Sequence, residues 1–204
     1  MLLKEKGVSY ELKEVIPFRN QDPEFKKISP LEKVPAYQDG DCTLADSSVI
    51  CAYIERTHPE PAFYPADPYD YARTLWFEEY ADTALYAVIG SKIFAPKVLA
   101  PVLFNQKPDE SAIQKASDEE LPPLFDYIEN QIESSDAIVG KSFSIGDISL
   151  TSQFVILRYS GYGVDKARWP KLAQYVARNL ARPSFIGAIE EERKAYPFLP
   201  EIGP

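Results

Sequence analysis

The sequence predicts a small mixed α/β domain followed by a larger all-α domain. Short apolar strands and turn signals are confined to the first 58 residues, whereas helical spacing of apolar residues dominates after residue 68. Between these parts, prolines at 59, 61, 65 and 68 exclude regular structure and indicate a linker. We therefore expect domains over residues 1–58 and 69–204, joined by residues 59–68.

The elements of the first domain follow from turn residues and apolar spacing. Gly7 is placed to end a helix, and Gly40 is placed to turn a hairpin. In chain order we expect the end of a helix at residues 2–7, a strand at 9–15, a loop at 17–30 with a helical turn at 23–27, paired strands at 36–39 and 42–45, and a helix at 47–57.

The second domain shows helical spacing throughout. We expect helices at 69–94, 110–133, 145–159, 170–180 and 183–194, with Pro122-Pro123 kinking or dividing the second of them. Ser144 and Asp147 have the spacing of a capping box, and Phe143 with Ile148 completes a hydrophobic staple. Ser144 and Asp147 are therefore predicted to be structural N-cap residues rather than catalytic ones.

Composition excludes several classes of function. The chain carries 22 Lys and Arg against 31 Asp and Glu, and its net charge of −9 argues against nucleic acid or anionic membrane as a partner. Two cysteines, Cys42 and Cys51, provide neither a disulfide framework nor a metal cluster, and the one histidine, His58, suits the end of a helix. No apolar stretch approaches 18 residues and no leader is visible, so we expect a soluble, cytoplasmic protein.

An acid and a hydroxyl open the helix predicted at 47–57. A helix start presents unpaired N–H groups and a partial positive charge, which suit a ligand carboxylate. Ser47 is placed to donate to such a carboxylate, and Asp46 is placed to accept from a ligand ammonium group. The alternative is that Asp46 or Ser47 is an ordinary N-cap.

A proline precedes the first strand of the hairpin. Because proline cannot donate to a sheet ladder, Pro35 marks the first residue of a strand or an edge. A cis bond before it would turn the Val34 backbone outward, where its N–H and C=O would pair with a ligand backbone as an added strand does.

Together these features resemble the glutathione-binding half of cytosolic, bacterial-type glutathione S-transferases. The matching order is Ser29-Pro30-x-x-Lys33-Val34-Pro35-Ala36, a hairpin, and Ala45-Asp46-Ser47 before a helix. The resemblance implies a thioredoxin-like N-terminal domain, an all-helical C-terminal domain and glutathione as co-substrate, with no metal and no tightly bound cofactor. It further implies that Val34 pairs with the cysteinyl part of glutathione, that Asp46 and Ser47 hold the γ-glutamyl end, and that Lys33 reaches the glycine carboxylate.

The resemblance also implies a second substrate and a second subunit. Members conjugate the glutathione thiolate to small hydrophobic electrophiles, often in detoxification, and Tyr86 and Phe104 lie where such enzymes build the wall for the electrophile. Aromatic residues in such stripes are otherwise core or interface residues. A homodimer is expected, with the helix after the linker at its interface.

The start of the chain departs from the family pattern. Family members begin with a strand and a turn carrying the Tyr, Ser or Cys that activates the glutathione thiol, whereas residues 1–7 resemble the end of the helix that follows that turn. The N-terminal domain is thus expected to be incomplete, with the catalytic residue in a segment before Met1. Either an upstream segment is absent from this chain, or the short chain is genuine and binds without efficient chemistry.

Two classes of function therefore remain open. The first is a glutathione transferase, impaired in this chain if the catalytic turn is absent. The second is a non-catalytic binding or regulatory protein of the same shape, similar to the stringent-starvation proteins or to elongation-factor subunits.

Overall fold

The structure, a computed structural model, describes residues 1–15, 23–133 and 137–202. The described chain contains a small unit of mixed α and β structure, Leu2–Phe63, and an all-helical unit that covers Tyr64–Pro204 together with Met1. Part of the predicted loop at 17–30, namely residues 17–22, lies outside the described residues.

Within residues 1–15 and 23–63, the N-terminal unit contains one hairpin and three helices. Strand β1 (Ala36–Asp39) pairs antiparallel with β2 (Cys42–Ala45), and Gly40 takes the left-handed conformation that the tight turn requires, with φ of 57°. The helices are α1 (Leu2–Glu5), α2 (Pro23–Ile28) and α3 (Ser47–Thr57). The predicted hairpin, the predicted helix at 47–57 and the helix stop at Gly7, with φ of 65°, are confirmed.

The strand predicted at residues 9–15 is wrong. None of these residues belongs to a strand, and the sheet in the described part of the chain has two strands only. Tyr10 and Leu12 are 39% and 62% exposed, so the alternating pattern here buries no face. A strand forms where a neighbour takes its backbone hydrogen bonds, and alternation alone supplies no neighbour.

A buried lysine holds the N-terminal unit together. The Lys6 side chain is fully buried, and its ammonium group donates to the backbone oxygens of His58 and Pro61, each at 2.7 Å. The same nitrogen lies 2.7 Å from a carboxylate oxygen of Glu55 and 5.2 Å from the centroid of the Phe63 ring. Lys6 thus ties the end of α1 to the end of α3 and to the segment that follows it.

The C-terminal unit begins with a helix of 37 residues, Pro68–Phe104. It consists of α4 (Pro68–Tyr80), a π-helical segment (Ala81–Leu99) and α5 (Ala100–Phe104). This helix extends ten residues beyond the end at residue 94 that the sequence predicts. The remaining helices are α6 (Glu110–Lys115), a π-helical segment (Ala116–Glu120), α7 (Leu121–Gln131), α8 (Ile145–Tyr159), α9 (Pro170–Leu180) and α10 (Pro183–Ala195).

The prediction that no apolar stretch approaches 18 residues needs a correction. Within the described residues, one helix, Pro68–Phe104, is long and apolar enough to cross a membrane by length and composition alone. Lys92 and Lys97 interrupt its apolar run, which hid it from a search for an uninterrupted stretch. Leu85, Ile89 and Ile93 on this helix are fully buried in the core, and 28% of its 18-residue apolar stretch is buried.

The helix predicted at 110–133 is not divided, because α6, the π-helical segment Ala116–Glu120 and α7 follow one another without a break. Pro122 and Pro123 lie in the first turn of α7, directly after the point where the winding changes from π to α. The core of the unit lies between the long first helix, α7, α8 and α9. Its largest fully buried side chains include Phe77, Phe125, Phe154, Tyr175 and Phe185.

A buried carboxylate organises the start of α8. Asp147 is fully buried, and it accepts hydrogen bonds from the Ser144 backbone N–H at 2.8 Å and from the Ser144 hydroxyl at 2.9 Å. Its other oxygen accepts from the Ile138 backbone N–H at 2.8 Å and from the Tyr175 hydroxyl at 2.7 Å. Asp147 therefore joins the helix cap, the preceding loop and α9.

Helix α9 is capped by a side chain of another helix. Its first residue is Pro170, which has no N–H, and the next two N–H groups, of Lys171 and Leu172, donate to the Glu129 carboxylate of α7 at 3.1 and 2.7 Å. One turn earlier on α7, Asp126 accepts from the Trp169 indole N–H at 2.6 Å. Two carboxylates of α7 thus accept the hydrogen bonds of the N–H groups at the start of α9.

Candidate functional site

The register of the hairpin brings the predicted ligand-binding residues together. Ala36 pairs with Ala45 at one end of the hairpin, so Pro35 and Asp46 leave the two strands side by side. Paired residues in antiparallel strands have Cα atoms about 5 Å apart. Val34 and Pro35 therefore lie beside Asp46 and the start of α3.

Val34 is an exposed residue at this end of the hairpin, and its backbone is unpaired among the described residues. The Val34–Pro35 peptide bond is cis, and Val34 is 47% exposed. Among the residues that the structure describes, neither the N–H nor the C=O of Val34 takes part in a hydrogen bond. An open donor and acceptor on one residue can pair with an extended peptide backbone, as in strand addition.

Asp46 is the N-cap of α3 and has an unusual backbone conformation. Its carboxylate accepts hydrogen bonds from the backbone N–H groups of Ser48 at 3.0 Å and Val49 at 3.3 Å. Its φ of 81° with ψ of 132° is rare for a residue with a side chain. Strained conformations of this kind cluster at functional sites and persist where the surroundings enforce them.

The cap changes the chemistry that the sequence predicted for the helix start. Both hydrogen bonds that Asp46 accepts end on Oδ1, so Oδ2 takes no part in the cap. The N–H groups of Ser48 and Val49 are already bound to a carboxylate and do not serve a ligand. The cap and the ligand-binding role, first posed as alternatives, are therefore compatible: Oδ1 caps α3 while Oδ2 can accept from an ammonium group.

The other two predicted residues flank this end of the hairpin. Ser47 is the first residue of α3 and is half-buried. Lys33 precedes Val34 and is exposed. Lys33, Val34 and Pro35 thus line one side of the site, and Asp46 with Ser47 lines the other.

The predicted second-substrate residues lie in the C-terminal unit and apart from each other. Tyr86, in the π-helical segment, is 51% exposed, and Phe104, at the end of α5, is 50% exposed. They are 18 residues apart on one continuous helix, which is roughly 25 Å along a straight axis. A small electrophile can therefore contact one of these rings but not both.

A tyrosine near the hairpin does not provide the group that activates a thiol. The Tyr53 hydroxyl donates to the Asp39 carboxylate at 3.2 Å, and desolvation together with this bond raises the pKa of Tyr53 to about 12. Asp39 pairs with Cys42 at the turn, so this group lies at the opposite end of the hairpin from Asp46. Over residues 1–15, 23–133 and 137–202, no three His, Cys, Asp or Glu side chains are grouped as for a metal ion.

The first residue of the matched motif, Ser29, has a contact in the structure that the motif did not predict. Ser29, in the loop before Lys33, is 1% exposed and binds the Lys33 backbone through its hydroxyl. The sequence contained one signal, because Ser29 opens the matched motif and serine side chains in loops often form local hydrogen bonds to the backbone.

Comparison with known proteins places both halves of the chain in one family. The family model of the glutathione S-transferase N-terminal domain matches residues 1–62, and that of the C-terminal domain matches residues 111–178. The chain is similar to glutathione S-transferase U1 of Arabidopsis thaliana, at 30% identity over 184 residues, which cover 86% of this chain and 75% of that protein.

Solved structures share the fold. A glutathione S-transferase from Rhodospirillum rubrum F11 superposes with a TM-score of 0.83 at 23% identity, covering 99% of this chain and 86% of that one. The glutathione transferase URE2P8 from Phanerochaete chrysosporium, solved with oxidized glutathione, gives a TM-score of 0.77 at 23% identity, covering 95% and 88% of the two chains. The fold is therefore a thioredoxin-like domain followed by an all-helical domain, and the chain belongs to the glutathione S-transferase family of enzymes.

Proposed function

We propose that the end of the hairpin formed by Val34, Asp46 and Ser47 binds glutathione, and that the enzyme conjugates its thiolate to a small hydrophobic electrophile. The observation that carries the proposal is the open Val34 backbone beside the Asp46 carboxylate, at the start of a helix. An extended tripeptide with a zwitterionic end has complementary chemistry. A relative in fold, the Phanerochaete chrysosporium transferase, was solved with oxidized glutathione.

Each part of the tripeptide has a proposed partner. The cysteinyl backbone pairs with the N–H and C=O of Val34, which orients the thiol by two hydrogen bonds. The γ-glutamyl ammonium group donates to Oδ2 of Asp46, and the γ-glutamyl carboxylate accepts from Ser47. Lys33 binds the glycine carboxylate from the solvent side, and Pro35 fixes the backbone beside it.

The two sides of the site select a zwitterion rather than a simple anion. The Asp46 carboxylate already takes the N–H groups of Ser48 and Val49, so a second carboxylate placed there would meet a like charge. An ammonium group beside that carboxylate removes the repulsion. We therefore expect the γ-glutamyl amine to contribute more to binding than the γ-glutamyl carboxylate.

We also propose the cellular location, oligomeric state and domain boundaries that the sequence predicted. The enzyme is a soluble, cytoplasmic homodimer with domains over 1–58 and 69–204, and it takes no tightly bound cofactor. The glutathione thiol, with an ordinary pKa of about 8.5, reacts as its thiolate. Tyr86 or Phe104 supplies an aromatic wall for the electrophile, a role consistent with the half exposure of each ring.

The decisive experiment measures glutathione binding by calorimetry for the native chain and for Asp46→Asn. Asparagine is also a good N-cap and tolerates positive φ, so this change removes the charge and keeps the helix start. Loss of a charged hydrogen bond predicts binding about ten- to a hundredfold weaker. Asp41→Asn is the matched control, since Asp41 is an exposed acid at the turn end of the hairpin.

A ligand variant sharpens the assignment to Asp46. Glutathione that lacks its γ-glutamyl amine should bind the native chain weakly. Its affinity for Asp46→Asn should be no lower than its affinity for the native chain. If Asp46→Asn instead reduces the affinity for both ligands equally, the ammonium contact is wrong. If the native chain fails to bind glutathione at all, the proposal is refuted in favour of a non-catalytic protein of this shape.

A further inference from the structure

We propose that Ser29 is a positioning residue for glutathione, which acts by fixing the peptide group between Lys33 and Val34. The inference rests on the proposed function of this site. Ser29 is 1% exposed and does not itself reach a ligand at the surface. Its effect must therefore pass through the loop that it holds.

The Ser29 hydroxyl makes two hydrogen bonds to one residue. Its Oγ donates to the Lys33 carbonyl oxygen at 2.7 Å and accepts from the Lys33 backbone N–H at 3.1 Å. The Glu32 N–H also donates to the Ser29 carbonyl oxygen at 2.9 Å, with Glu32 in the left-handed conformation at φ of 54°. Residues 29–33 thus form a closed loop around one buried hydroxyl.

The loop is anchored to the body of the N-terminal unit. The Ser29 N–H donates to the carbonyl oxygen of Phe25 at 2.8 Å, which continues the hydrogen bonding of α2. Phe25 is 6% exposed and belongs to the core. The position of the Ser29 hydroxyl is therefore set by a packed helix rather than by a solvated loop.

Because the peptide group is planar, the hydrogen bond that fixes the Lys33 carbonyl also fixes the direction of the Val34 N–H. The Lys33 carbonyl and the Val34 N–H belong to one planar unit, and in a trans peptide they point in opposite directions. Because the Lys33 carbonyl oxygen is directed at Ser29, the Val34 N–H is directed away from the buried loop. Ser29 therefore presents the Val34 donor outward before the tripeptide arrives.

Removal of the hydroxyl should weaken glutathione binding without altering the second substrate. In Ser29→Ala, the Lys33–Val34 peptide group rotates more freely and must be ordered on binding. We expect the KM and Kd for glutathione to rise about five- to twentyfold. The KM for a chlorinated aromatic electrophile, measured at saturating glutathione, should change by less than twofold.

Further variants test whether the effect belongs to the Ser29 hydroxyl itself. Ser29→Cys keeps the size of the side chain with a much weaker donor and should resemble Ser29→Ala, whereas Ser29→Thr keeps the hydroxyl and should retain most of the affinity. Thr57→Ala is the matched control in the same unit, because the Thr57 hydroxyl also donates to a backbone carbonyl oxygen, that of Tyr53, at 3.0 Å. Because Thr57 is exposed at the end of α3, this change should leave both the unfolding midpoint and the glutathione affinity close to those of the native chain.

The outcomes distinguish this inference from the proposed function. Native binding with unchanged affinity in Ser29→Ala and Ser29→Cys would overturn the role of Ser29 and leave the glutathione site intact. Equal loss of affinity in Thr57→Ala and Ser29→Ala would also overturn it, because loss of any side-chain hydrogen bond to the backbone of this unit would then have the same effect. Absence of glutathione binding by the native chain would overturn both.

Discussion

The buried Asp147 carboxylate yields a prediction whose size follows from its contacts. Four donors surround it: two on Oδ1, from Ile138 and Tyr175, and two on Oδ2, both from Ser144. In Asp147→Asn an NH₂ group replaces one of the two oxygens. Whichever oxygen is replaced, one backbone N–H, of Ile138 or of Ser144, faces another donor and is left unpaired.

The free-energy change can be estimated from these losses. A buried donor without an acceptor costs about 1–3 kcal/mol, and the hydroxyl on the same side can rotate to accept instead. The remaining bonds lose the strength that a charged acceptor gives them. Burial raises the pKa of Asp147 and the four donors oppose that shift, so neutralising the group also recovers part of its desolvation penalty. We expect Asp147→Asn to lower the free energy of unfolding by about 2–3 kcal/mol.

The assay is unfolding in urea, monitored by circular dichroism, and two further variants serve as comparisons. Asp147→Ala leaves all the donors without an acceptor and should lose about 4–5 kcal/mol. Tyr175→Phe removes one of the four bonds and keeps the ring, so it should lose about 1 kcal/mol. An Asp147→Asn protein within 0.5 kcal/mol of the native chain would show that the network adds nothing to stability, contrary to this reasoning.

Three other changes test other parts of the fold. Lys6→Met removes a fully buried ammonium group from three oxygen partners and should lower the free energy of unfolding in urea by about 3 kcal/mol; a loss below 1 kcal/mol would contradict its role. Desolvation and nearby Tyr127 raise the pKa of Tyr80 to about 12 from the ordinary 10.0, so its contribution to stability is present below pH 10 and is lost as pH rises through 12. Thermal melts between pH 9 and 12 should therefore show a shallower decline for Tyr80→Phe, and equal slopes would count against this. A Cβ at Gly146 would lie 3.3 Å from the Phe77 Cβ and 3.3 Å from the Thr74 carbonyl oxygen, so Gly146→Ala should destabilise by about 1–2 kcal/mol in chemical denaturation rather than stabilise α8 as alanine usually does.

Local signals in the sequence predicted the parts of the fold that depend on neighbours in the chain. The hairpin at Gly40, the capped start of α3 and the stop at Gly7 were predicted correctly because each is decided within a few residues. The strand at 9–15 was wrong because a strand depends on a partner that the pattern does not contain. The π-helical winding of Ala81–Leu99 was not predicted, since its apolar spacing is close to that of an α-helix.

In the candidate site, too, the features set by a local motif could be predicted, and those that depend on how the chain folds back could not. The roles proposed for Val34, Asp46 and Ser47 came from a motif, and the register Ala36 with Ala45 explains why these residues are adjacent. The double hydrogen bond of Ser29 could not be predicted, because it depends on how the loop folds back onto Lys33. The sequence likewise gave no indication that Asp46 uses one oxygen for the cap and leaves the other outside it.

The Glu129 cap determines how helix α9 opens to solvent. Because Pro170 has no N–H and the amides of Lys171 and Leu172 are bonded to a side chain of α7, fraying of α9 alone does not release these protons. In native-state hydrogen exchange they should be protected as long as α7 stays docked, even though the start of a helix usually exchanges first. Their exchange rate therefore reports how often the contact between the Glu129 carboxylate of α7 and the start of α9 opens.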